Sequence, residues 1–186
     1  MDRRTQKTRQ AIRNAYAALL LDHHASRITV TALAREANID RKTFYLHYDT
    51  IEDVVRDYHA QILLKMMDYL EAAGFFENRP DISCFFTACN RLIGEEMAFF
   101  QYTAQYGEDA VQWQEDTAEL VRMIAERYEE SVTVRPEVLE VYIRLLIAGS
   151  KEIYSDWLRG RLKFDIEELG RIATDAAFEG FSAIMR

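Results

Sequence analysis

The sequence is poor in residues that break or staple a chain. Its 186 residues include two Pro, seven Gly and two Cys. So few breakers, with few β-branched alternations, predict an all-α protein. Cys84 and Cys89 fit neither a disulfide framework nor a zinc motif, which points to a reducing, cytoplasmic setting. No apolar run approaches the roughly 20 residues of a membrane span. The charged start, MDRRTQKTRQ, lacks the apolar core of a signal peptide. A Gly-rich phosphate loop, a nucleophile–base arrangement and the repeated Glu-x-x-His of di-iron bundles are also missing. Catalysis, a metal and a cofactor are therefore not expected.

The charge that is present is unevenly spread. The net charge is −8. Residues 1–48 carry nine Lys/Arg against four Asp/Glu, whereas residues 49–186 carry fourteen against twenty-seven. A basic head on an acidic body is the distribution expected of a nucleic-acid-binding module joined to a regulatory one. Arg3, Arg4, Lys7, Arg9 and Arg13 load the start of a predicted first helix over residues 3–22, whose apolar stripe is Ala11, Ile12, Ala15, Leu19 and Leu20. Cations there oppose the helix dipole, so phosphate contact explains them better than helix stability does. His23-His24 reads as the end of that helix.

The stretch from Ile28 to Val54 organises the chain. Thr29 is a good N-cap, and Val30, Leu33, Ala34 and Ala37 follow at helical spacing. Asn38 stands where the helix must stop and tolerates the left-handed turn required there. Ile39 plugs the turn, and Asp40 caps a second helix. Phe44 and Tyr48, four apart, turn inward; Arg41, Lys42, Thr43, Tyr45 and His47 are left to point elsewhere. This is the plan of a helix-turn-helix, in which one helix braces and the next offers its N-terminal residues to the DNA major groove.

The run T-V-x-x-L-A-x-E-A-x-I-x-x-x-T-F-Y-x-H-Y, followed by T-I-E-D-V-V, resembles the DNA-binding domain of TetR-type transcriptional regulators. Its matching residues run from Thr29 and Val30 through Thr43, Phe44, Tyr45, His47 and Tyr48 to Asp53. Three positions depart from the family pattern: Asn38 replaces a common Gly, Asp49 a frequent Pro, and Ile51 a frequent Lys that touches a DNA phosphate. The resemblance implies a helix-turn-helix DNA-binding domain over residues 1–50 and a helical ligand-binding and dimerisation domain over 51–186; the caps and apolar spacing along the chain give about nine helices in all. It implies palindromic double-stranded DNA as a partner. Arg4, Thr29, Thr31, Arg41, Lys42, Thr43, Tyr45 and His47 are the residues expected to meet it.

Beyond the head, a long helix is predicted from Thr50 to about Ala73, opened by Thr50 and Asp53 as a capping-box variant. Further helices start at Asp81, after a break at Gly94, at residue 109, at Arg135-Pro136 and at Asp165. The last two carry apolar residues on more than one face, and the final one has a small-residue stripe. TetR-type proteins usually dimerise through their last two long helices. Leu145, Gly149, Ala173, Ala177 and Gly180 are accordingly expected at a homodimer contact. The middle helices are rich in aromatic residues and Met. Buried Tyr and Trp need polar partners, so some of these can line a cavity, and the resemblance implies a small molecule bound there, with Met66, Phe86, Asn90, Phe100, Trp113 and Tyr128 as its expected lining.

The function expected is a homodimeric transcriptional regulator, a repressor released by a small-molecule effector. A rival is an effectorless or activating relative that answers to a protein partner. The other is an all-α enzyme with a decayed DNA-binding head, which the missing catalytic patterns disfavour.

Overall fold

Apolar residues recurring every three or four positions drive this chain into helices that bury one stripe each. The computed structural model describes residues 3–77, 81–107, 110–128 and 135–179, and among these it contains nine α-helices and no strand. None of its helices is long and apolar enough to cross a membrane. The chain divides into two compact units, Met1–Ile62 and Leu63–Arg186. The division falls inside α4 (Ile51–Ala72), twelve residues past the boundary expected from the motif.

In the first unit, α1 (Arg3–Asp22) buries Ile12, Ala15, Tyr16, Leu19 and Leu20. It packs on α2 (Val30–Glu36), which packs on α3 (Arg41–Tyr45). Tyr16 meets Tyr58 of α4 edge to face, with centroids 5.5 Å apart. His23-His24 does not simply close α1. His24 Nδ1 accepts from the Ser26 amide and caps the short 3-10 turn Ala25–Arg27, a turn the helical periodicity did not reveal.

In the second unit, Asp81 caps α5 (Ile82–Glu95) by accepting from the Ser83 amide at 2.9 Å. The break expected at Gly94 comes two residues later. Gly94 is helical, and the chain leaves the helix at Glu96 (φ −113°) before α6 (Met97–Tyr106). Gly107 ends α6 with φ +79°, where a Cβ would be strained. Next come α7 (Ala110–Tyr128) and α8 (Pro136–Leu158), the latter opened by Pro136 at the first helical position, where its missing N–H costs nothing. Last is α9 (Ile166–Glu179), whose N-terminal amide at Glu168 donates to Asp165 at 2.6 Å. Here α5 packs on α9, α6 and α7 pack on α8, and α5 packs on α6.

Candidate nucleic-acid interface

The helix-turn-helix is built by short-range signals. Thr29 Oγ1 accepts from the Ala32 amide at 3.2 Å and starts α2. Asn38 takes φ +53°, the one non-glycine residue with positive φ among those described. That turn lets the Ile39 amide donate back to the Ala34 carbonyl at 2.9 Å. Asp40 Oδ1 then accepts from the Thr43 amide at 2.6 Å, and this bond holds the Asp40 carboxyl below its usual pKa. Leu33, Ala34, Phe44 and Tyr48 are buried between the helices. The Thr50 amide donates to Asp53 Oδ2 at 2.8 Å while the Asp53 amide donates to Thr50 Oγ1 at 3.2 Å, the reciprocal capping box that launches α4.

With the apolar residues turned in, α3 presents Arg41, Lys42 and Tyr45 as exposed side chains, with Thr43 and His47 half-buried beside them. Thr29 and Thr31 are exposed on α2 and Arg4 on α1. An open groove of ≈ 900 Å³ brings Arg4, Thr43 and His47 together with Asn38 and Asp40. Leu46 lines the same groove and is 74% exposed. Sequence reasoning assigns it no role, since it belongs neither to the buried pair Phe44 and Tyr48 nor to the polar set around it. Its place at the C-cap of α3, between Tyr45 and His47, was the available signal.

A second omission lies behind this surface. Asp57 Oδ2 on α4 accepts from Tyr48 Oη at 2.5 Å and from Arg13 Nη1 at 2.7 Å, and lies 3.5 Å from Arg9 Nε. Arg9 Nε also donates to Tyr48 Oη at 3.2 Å. Burial disfavours the charged form of Asp57, but the hydrogen bonds from Tyr48 and Arg13 outweigh it and hold the carboxyl below its usual pKa. Burial, and then the bond to Asp57, push the Tyr48 phenol up. Arg9 and Arg13, read from the sequence as part of a phosphate-facing run, are therefore turned towards the core, and Arg13 is buried. Arg3, Arg4 and Lys7 remain on the exposed side of α1. No local pattern reveals Asp57, because its partners are 9 and 44 residues away in sequence.

The residues expected to line a pocket are dispersed. Met66 and Tyr128 are buried, and Tyr128 Oη donates to the Phe75 carbonyl; burial pushes its phenol up to about 12. Phe100 is half-buried on α6, and Trp113 is on α7, its side chain outside the described residues. Phe86 and Asn90 meet at an open groove of ≈ 620 Å³ between α5 and α9. Asn90 is occupied there: its Nδ2 donates to the Ile166 carbonyl at 3.0 Å, and its Oδ1 accepts from Tyr154 Oη. It ties α5 to α8 and α9, which explains a polar residue on that face without a ligand.

Among the residues expected at a contact between copies, Leu145 is 68% exposed, and Gly149 and Ala177 are exposed. Ala173 is 3% exposed in the single chain and packs in the chain's own core, leaving Leu145, Gly149 and Ala177 as the exposed members of the set. Gly180 lies outside the described residues. Val141, Tyr142, Ile172 and Phe178 are exposed on α8 and α9, although the sequence reading did not single them out for this contact.

An all-α chain with a capped helix-turn-helix head and a helical body has the fold of the TetR-type regulators. It resembles the fatty acid degradation regulator FadR from Bacillus halodurans with TM-score 0.70 and 14% identity, over 93% of this chain and 95% of that one. A tetR-family transcriptional regulator from Streptomyces coelicolor aligns at TM-score 0.63 and 16% identity, over 96% and 82% of the two chains. A TetR-like transcriptional regulator from Rhodococcus sp. RHA1 aligns at TM-score 0.61 and 18% identity, over 98% of each. No family model matches the sequence, and no curated protein matches it significantly.

Proposed function

We propose that the chain is a homodimeric, DNA-binding transcriptional repressor, released from a palindromic site by a small-molecule effector. The observation that carries this reading is the exposed face of α3, where Arg41, Lys42 and Tyr45 stand clear of a buried apolar side. Arg and Lys donate to guanine edges or phosphates, and Thr and Tyr meet thymine methyls or phosphates. The basic balance of residues 1–48 supports the same partner. Dimerisation is supported by the large apolar residues that α8 and α9 each leave exposed, since apolar surface of this kind suits a protein contact. The groove between α5 and α9 supports an effector site in the body. The DNA-binding role falls to the head and the other two to the body.

The test is selection from a library of random duplexes by the intact protein. It should enrich one consensus, and Arg41→Ala should relax one position of that consensus at a cost of about 1–3 kcal/mol. If no sequence is enriched, the DNA-binding reading fails.

A further inference from the structure

Asp57 is a carboxylate set among cations. It forms part of the wall of a groove of ≈ 560 Å³ together with Arg3, Lys7, Arg9 and Arg13. One of its oxygens meets Tyr48, Arg13 and Arg9 at 2.5, 2.7 and 3.5 Å. The Arg9 guanidinium also lies over the Tyr48 ring, 4.7 Å from its centroid. The Arg13–Asp57 pair is sheltered, with side chains 11% and 18% exposed, while Arg9 is 30% exposed. Two of the five cations at the start of α1 are thereby committed within the head. Tyr48 immediately follows the turn that ends α3, so the same carboxylate holds the chain just beyond that helix.

We propose that Asp57 is a specificity-determining, positioning residue: it withholds Arg9 and Arg13 from the DNA backbone and, through Tyr48, fixes the helix that reads the bases. This rests on the DNA-binding reading above. The two actions have separable signatures. A cation released to phosphate strengthens binding to every sequence and steepens its salt dependence. A reading helix that is no longer fixed weakens binding to the correct sequence alone. A residue that only stabilised the fold would alter neither the salt slope nor the preference of the folded protein.

The experiment compares the intact wild type, Asp57→Asn and Tyr48→Phe. The probes are the duplex enriched by the wild type and a scrambled duplex of equal length, titrated at several salt concentrations. Asp57→Asn should bind the scrambled duplex more tightly, with a salt slope steeper by about 0.9 for each arginine released. Its preference for the enriched duplex should fall by about tenfold, comparable to one good base contact. Tyr48→Phe removes the hydroxyl that Arg9 and Asp57 share but keeps the carboxylate, the ring under Arg9 and the Arg13–Asp57 bond, so its preference should fall while its salt slope changes by less than that of Asp57→Asn. An unchanged slope or an unchanged preference in folded Asp57→Asn overturns the proposal. Should that variant not fold, an unchanged preference in Tyr48→Phe overturns it instead. A wild type that enriches no duplex fails the DNA-binding reading; one that enriches a duplex which Asp57→Asn distinguishes equally well fails only this proposal.

Discussion

The head and the body leave different chemistry on their surfaces. The head buries Leu33, Phe44 and Val54 completely and exposes Arg41, Lys42 and Tyr45. The body buries Phe85, Ile124 and Leu169 just as thoroughly, yet leaves Val141, Tyr142, Leu145 and Phe178 exposed, the last at 73%. Each unit has satisfied its own core, so these exposed residues are not needed for that core. Cations suit a polyanion and apolar side chains suit another protein surface. The contrast is the one that the proposed division of roles, DNA for the head and a second copy for the body, requires.

Two substitutions probe how independent the cores are. The larger effect should come from Phe44→Ala, which empties a fully buried site in the head and should cost about 3–5 kcal/mol. Amide hydrogen exchange should accelerate throughout α1 to α3 while α5 to α9 keep their protection. Equal loss in both units would mean that they unfold as one, and would remove the basis for treating their cores separately. A smaller effect is expected for Gly170→Ala in the body. A Cβ at residue 170 would stand 2.8 Å from Asn90 Nδ2, so either α9 shifts or Asn90 surrenders its bond to Ile166. The expected cost is about 1–3 kcal/mol, confined to the body and measured by denaturant unfolding. A neutral result would show that the close approach of α5 and α9 is not a constraint.

The head was more legible than the body because its signals are local. Thr29, Asn38 and Asp40 each act within five residues, through a side-chain cap or a backbone turn. Sequence spacing is sufficient to find such features. Asp57 and Asn90 act across the fold, and no spacing rule exposes a bond between residues 44 or 64 positions apart. The last helix shows how one physical cue can serve more than one partner. Small residues do mark close approach there, but at Gly170 the approaching group is Asn90 of the same chain, and Ala173 is core. Periodicity reports that a face is covered and is silent about what covers it. The same limit applies to Asn90 itself, whose polar atoms were satisfied by Ile166 and Tyr154.

The most direct test of a dimeric, DNA-reading protein is the mass of the complex that the intact chain forms on its enriched duplex, measured by sedimentation equilibrium. The account predicts two chains per duplex on a consensus whose halves mirror each other, with centres about 34–36 Å apart on successive turns of the major groove. A single chain bound to an asymmetric site would contradict it.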